Sequence, residues 1–259
     1  MMKLMKTAMA VVFLTAATAQ AQAESALQAI LSDGVLKVGT TGDWNPMTMK
    51  NPATNGYTGY DIDVMTELAS DLGVEVEFVP TDWKTLVSGV TSGKYHITGS
   101  ASVSPARAKA AGYSTSYFAL ATVPLVLKKN GDRFSDWEDL NKPDVTVAAT
   151  LGTTQEQQVK DFFPDATHQI VEAPARDFQE VLSGRADAHI TSNVEASTLV
   201  EKYSQMMVVP VSEPRAPTPV AMLLPQDDQV WINYVNTWIA LKQQRGYFAE
   251  LAEKWQLSN

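Results

Sequence analysis

Apolar and polar positions along the chain change period repeatedly, and each change predicts an element. Val35-Leu-Lys-Val38 reads as a strand running into the turn Gly39-Thr-Thr-Gly-Asp43. From Asp61 to Leu72 the apolar residues fall at 62, 65, 68, 69 and 72, a helical spacing that Gly73 stops. Val74 to Val79 alternates like a half-buried strand, Thr85 to Val90 forms a short helix, and Lys94 to Thr98 another strand. The apolar run Thr122 to Leu127 ends in the polar stretch Lys128 to Asp132, a crossing point to a second unit. That unit repeats the rhythm: strand Val145 to Ala149, helix Thr154 to Phe162, strand Gln169 to Val171, helix Asp177 to Leu182. Strand Ala188 to Thr191, helix Asn193 to Lys202 and the run Met207 to Val211 complete it. Pro214, Pro217 and Pro219 break the pattern before Val220 to Leu224, and two helices, around Trp231 to Trp238 and over Tyr247 to Trp255, close the chain. Strands alternating with helices predict an α/β fold whose functional loops lie at the C-terminal ends of the strands.

The first residues follow another pattern. Lys3 and Lys6 precede a mostly apolar run from Thr7 to Ala17, and small residues occupy Ala19 to Ala23. This describes a secretory signal peptide over residues 1–23, cleaved after Ala23. No later stretch approaches the roughly 18 apolar residues of a spanning helix, so an exported chain without direct membrane insertion is expected. Composition then removes several chemistries. With no cysteine, the chain has no disulfide, no lipid attached through sulfur, no thiol nucleophile and no thiolate metal site. Acidic residues outnumber basic ones 29 to 20, a formal net charge of −9, which opposes binding to nucleic acid or to an anionic membrane surface. His96, His168 and His189 lack ligand spacing, so neither metal nor other cofactor is expected.

Two stretches carry candidate chemistry. In Thr98-Gly-Ser-Ala-Ser-Val-Ser-Pro-Ala-Arg-Ala-Lys109, a strand gives way to small polar residues. Pro105 suits the first turn of a helix, and Ser102 or Ser104 can cap it. Free N–H groups, the hydroxyls of Ser100 and Ser102 and the fork of Arg107 all favour an anion such as a carboxylate. In the second unit, Val145-Thr-Val-Ala-Ala-Thr-Leu-Gly-Thr-Thr-Gln-Glu156 has the same form, with Thr153 and Thr154 at a helix start. Two such ends in separate α/β units suggest lobes that share one anionic ligand. Arg176 opens a predicted helix at the rim, where it is a second anion contact or a solvated side chain. Asp43 meets a ligand hydroxyl or caps its own loop.

The chain resembles the periplasmic solute-binding proteins of the polar amino-acid family (family 3) over essentially its length after the leader. The resemblance lies in Gly34-Val-Leu-Lys-Val-Gly-Thr40, Gly56-Tyr-Thr-Gly-Tyr-Asp-Ile-Asp-Val64, Ser102-Val-Ser-Pro-Ala-Arg107, Gly152-Thr-Thr-Gln-Glu156, Gly184-Arg-Ala-Asp-Ala188 and Gly246 to Trp255, in that order. It implies a type II periplasmic-binding-protein fold of two α/β lobes. The first would hold residues 24–127 and 221–259, the second residues 128–220, with hinge strands at Val123 to Lys128 and Val220 to Leu224. It also implies a monomer that hands a small carboxylate-bearing solute to an ABC permease in the inner membrane. Arg107 would grip the ligand carboxylate, helped by Ser102 and Thr154, between walls including Trp44 and Trp83. The family usually places an Asp where this chain has Ser192, and that Asp pairs with a ligand α-amino group; Ser192 therefore favours an organic anion. A narrower resemblance, through Thr40-Thr-Gly-Asp43 and Val79-Pro-Thr-Asp-Trp83, is to the periplasmic cyclohexadienyl dehydratases. They carry a glutamate at the position of Glu195, implied to protonate the departing hydroxyl of prephenate or arogenate. Against that reading, Ala149-Thr-Leu-Gly-Thr-Thr154 and Thr218-Pro219-Val220 depart from the dehydratase pattern. Solute binding ranks first and the lyase second.

Overall fold

The computed structural model of the chain describes residues 24–257; the expected leader lies outside them. Local signals account for several elements. Helix Thr154–Phe162 starts where the extended Thr153 accepts the N–H of Glu156 at 3.3 Å, and a Lys160–Glu156 pair at 2.8 Å supports its first turns. Helix Tyr60–Leu72 ends at Gly73, whose left-handed backbone (φ 71°) returns its N–H to the carbonyls of Ala69 and Ser70. In the helix Gln229–Gln244, Asp228 caps the start and its carboxylate also receives the Ser25 hydroxyl and the Ala26 N–H. The capped end of this helix is thereby tied to the start of helix Ala26–Asp33.

Eight strands follow one another in space in the order Thr167–Val171, Thr146–Thr150, Ala188–Ser192, Phe118–Leu127, Arg215–Leu224, Ile97–Ser102, Val35–Thr40 and Glu75–Pro80. The order divides at its middle into two lobes. On one side the parallel trio at Val35, Glu75 and Ile97 carries Leu36, Val38 and Ile97 against helices 60–72 and 229–244, while Tyr95, Ala101 and Leu223 pack with Leu86 and Val90 in a separate cluster. On the other, Val147 and Ile190 meet Trp137, Val159 and Phe163, while Leu125 and Ala148 meet Val181 and Leu199. Each lobe is thus an open sheet with helices on both faces, the doubly wound arrangement the alternation predicts. A small sheet of Asp43–Trp44, Thr48–Lys50 and Tyr57–Thr58, which the periodicity does not announce, braces the loop after the first strand.

The two strands that join the lobes differ from expectation. Phe118 to Thr122 pairs with Arg215 to Val220, whereas Ala188 to Ser192 pairs with Thr122 to Val126. The crossing therefore lies several residues before the expected Val123 to Lys128. The partner strand runs from Arg215 through Pro217 and Pro219 to Leu224 rather than starting at Val220. Its register slips between Arg215 and Thr218, and such an irregularity tolerates residues that lack an N–H.

The lobes meet along the cleft. Lys84 pairs with Glu172 at 2.7 Å between exposed side chains, and the Thr198 hydroxyl donates to the Asn45 carbonyl at 3.3 Å. Gly152, at φ 82°, packs tightly against the other lobe: an added Cβ would stand 2.6 Å from Lys84 Cα and from the Trp83 carbonyl carbon. Only glycine permits that approach.

Candidate ligand-binding cleft between the lobes

Arg107 sits on the single turn Pro105–Ala108, which Ser104 rather than Ser102 caps by accepting the Arg107 N–H at 3.3 Å. One turn has little dipole of its own, so the side chain, not the helix end, supplies the positive charge. The residue is only 9% exposed. Its Nη1 donates to the Ser102 carbonyl at 3.3 Å within its own lobe, and Nη2 to the Gly152 carbonyl at 3.1 Å across the cleft. Both partners are neutral peptide oxygens, and among the described ion pairs none involves this guanidinium. Burial pushes its pKa down, which states the same deficit: a charge removed from water without a counter-ion.

Around it the lobes close on a narrow cavity of about 30 Å³. Ser100 and Ser102 enter from the end of strand Ile97–Ser102, Trp44 from the small sheet and Trp83 from a loop of the same lobe. Thr150, Thr153 and Thr154 face them from the end of strand Thr146–Thr150 and the capped helix start. The two indoles meet edge to face, 5.7 Å between centroids, and Trp83 Nε1 donates to both Asp43 oxygens at 3.1 and 3.2 Å. Beneath Ser100 the chemistry continues inward. Its hydroxyl donates to Asp61, and the Tyr117 hydroxyl stands 3.0 Å from the Ser100 oxygen and receives the Ser100 N–H at 2.7 Å. Burial drives the Asp61 carboxyl up to about 7, against the pull of these hydroxyls.

The far end of the cavity is charged. Arg176 Nη2 donates to Glu195 Oε1 at 2.9 Å, while Nη1 reaches the Asp43 carbonyl and lies 3.2 Å from Asp43 Oδ2. Glu195 Oε2 accepts the Thr191 hydroxyl. Burial raises the Glu195 carboxyl above the usual range, with Arg176 beside it pulling the other way. The neighbouring Asp177 is held low despite its own burial by His189, 3.6 Å away, and by Arg176.

Of the residues singled out in the sequence, Trp44, Trp83, Ser100, Ser102, Arg107, Thr153, Thr154, Arg176 and Glu195 line this one cavity. Asp43 touches it indirectly, through Trp83 and Arg176. Ser192 does not line it: the side chain is buried and accepts the Glu195 N–H at 3.2 Å, so the hydroxyl is used as a helix cap. Arg176 is neither a solvated side chain nor a bare anion contact, because two carboxylates already hold it. The sequence reading missed Thr150, Gln155, Asp177, Ile190 and Thr191. Thr150 and Thr191 end apolar strands, a position that flags them once the strand order is known.

A profile of the bacterial extracellular solute-binding proteins, family 3, matches residues 36–258. Cyclohexadienyl dehydratase of Pseudomonas aeruginosa is 30% identical over 243 residues, covering 93% of this chain and 90% of that protein. The L-cystine-binding protein TcyJ of Escherichia coli is 26% identical over 233 residues, covering 90% and 86%. Among solved structures, the ancestral amino acid-binding protein AncCDT-1, described as a precursor of cyclohexadienyl dehydratase, superposes with a TM-score of 0.82 at 38% identity, over 90% of this chain and 99% of that one.

Proposed function

The chain belongs to the bacterial extracellular solute-binding proteins of family 3, and from that premise we propose that it captures a small carboxylate-bearing solute between its lobes for an ABC importer. The observation that carries this reading is Arg107: a buried guanidinium with one peptide carbonyl from each lobe and no acid. A ligand carboxylate would supply the missing charge at the point where both lobes converge, and binding there favours the closed arrangement over the open one. The Ser102 hydroxyl can share the carboxylate, and so can that of Thr154 by leaving the Gln155 amide, whereas Thr153 is taken up by its helix cap and the Thr150 carbonyl. With Ser192 spent on a cap, the position where the family's Asp would meet an α-ammonium carries no carboxylate, which favours an organic anion over a standard amino acid. Export to the periplasm, a monomeric state and an inner-membrane permease complete the proposal. No helix among the described residues is long and apolar enough to cross a membrane.

A thermal-shift panel of amino acids, dicarboxylates, sulfonates and aromatic acids identifies the solute class, and titration of the best hit then tests the anchor. Arg107→Ala should weaken that hit by about ten- to a hundredfold, the worth of a charge-assisted contact, with the fold intact. Unchanged affinity would remove Arg107 from the site.

A second reading is favoured by one observation: Glu195 lines the same cavity, buried and with its carboxyl raised. A prephenate dehydratase needs such an acid to protonate the leaving hydroxyl, released as water, while the ring carboxylate departs as carbon dioxide. The same purified protein incubated with prephenate separates the two readings. Phenylpyruvate formation that Glu195→Gln abolishes would place the lyase first.

A further inference from the structure

Two guanidinium groups line one cavity, and their partners differ in kind. Arg107 meets peptide carbonyls, whereas Arg176 is held by two acids, Asp43 from one lobe and Glu195 from the other. Acids placed across a cleft beside two indoles form the natural receptor for an ammonium or guanidinium on a ligand whose carboxylate lies at Arg107. Here the chain fills that receptor itself. We propose that Arg176 sets the charge class of the solute: as the cation that already occupies the place between Asp43 and Glu195, it admits solutes whose far end is neutral and refuses those whose far end is cationic.

The physical reasons are three. A ligand cation would have to stand directly beside the Arg176 guanidinium in a place poor in water, where repulsion between the two is little screened. It would find both acids engaged. It could take them only by expelling Arg176, whose buried Nε already lacks a hydrogen-bond partner among the described residues, into still greater isolation. The proposal rests on Arg107 as the carboxylate anchor, and the experiment separates the two.

4-Guanidinobutanoate and 4-ureidobutanoate lack an α-ammonium, have nearly the same shape and differ in a cationic against a neutral tail, so calorimetric titration with both isolates the charge. Wild-type protein and Arg176→Lys should give no detectable binding of the guanidino compound. Arg176→Met, which keeps the stem and removes the charge, should bind it at least about tenfold more tightly than the weakest affinity the titration registers, with no comparable gain for the ureido compound. Detectable binding of the guanidino compound by the wild type, or no gain in folded Arg176→Met, overturns the proposal. Should two uncompensated acids prevent Arg176→Met from folding, the double variant Arg176→Met/Glu195→Gln leaves Asp43 alone to receive the cation. It should still gain detectable binding of the guanidino compound, and absence of the gain overturns the proposal equally. Adding Arg107→Ala to the responsive variant should abolish the gain; a gain that survives overturns the anchor reading instead.

Discussion

Asp61 opens a helix on the solvent-rich side of the sequence pattern, yet its carboxyl lies buried under Ser100, with a pKa of about 7 against an ordinary 3.8. The sign of its effect on stability follows from proton counting. Between about pH 4 and 7 the folded chain holds this proton and the unfolded chain does not, so the contribution of Asp61 falls as pH rises through that window and levels off above it. Carboxyls held low, such as Asp71 and Asp177, act in the opposite direction. The test is therefore a difference: the melting temperature of Asp61→Asn minus that of wild type, followed from pH 4.5 to 8, should rise with pH. A flat difference would mean that Asp61 stays ionised in the fold. Because Ser100 lines the cavity, the same comparison on ligand affinity reads how far this proton reaches the site.

Among the elements, the turn after strand Thr146–Thr150 does more than its length suggests. Gly152 combines a left-handed backbone with an approach to Lys84 that exists only when the lobes meet. Gly184, also left-handed at φ 75° but with nothing within 4 Å of an added Cβ, supplies the control. Gly184→Ala should cost about 1 kcal/mol of stability through strain alone. Gly152→Ala should cost a similar amount and, in addition, weaken ligand binding and blunt the ligand-induced contraction seen by small-angle scattering. Equal ligand responses in the two variants would show that the turn does not limit closure. The legibility of elements divides along the same physical line. Helix Thr154–Phe162 was readable to the residue because a threonine cap and an i,i+4 ion pair are local facts. Strand Arg215–Leu224 was not, since its prolines argue against a strand and only pairing with Phe118 to Thr122 and Ile97–Ser102 overrules them. Arg107 and the paired threonines announced the site through local motifs. Thr150, Thr191 and Asp177 owe their place there to how distant strands are ordered, which no short window of sequence contains.

At the scale of the molecule, an acidic chain concentrates two arginines at the bottom of one cleft. One lobe supplies Arg107 and the other its Gly152 partner; Arg176 likewise spans from Glu195 to Asp43. Neither lobe alone completes the cavity, so recognition and closure are coupled through the same few contacts. The lobed architecture and family membership were readable in the sequence, because ordered motifs over the whole chain are a global signal. The internal pairing of Arg176 was not, because its two acids lie far from it along the chain.

The edge-to-face indoles give this molecule an intrinsic optical reporter. Trp83 sits where Gly152 of the opposite lobe closes on it, and Trp44 shares its surroundings, whereas Trp137 and Trp231 are sealed in their lobe cores. Adding a solute that shuts the cleft should shift tryptophan emission towards shorter wavelength as water leaves Trp83. Trp83→Phe should erase most of that shift, so unlabelled protein can be titrated by its own spectrum.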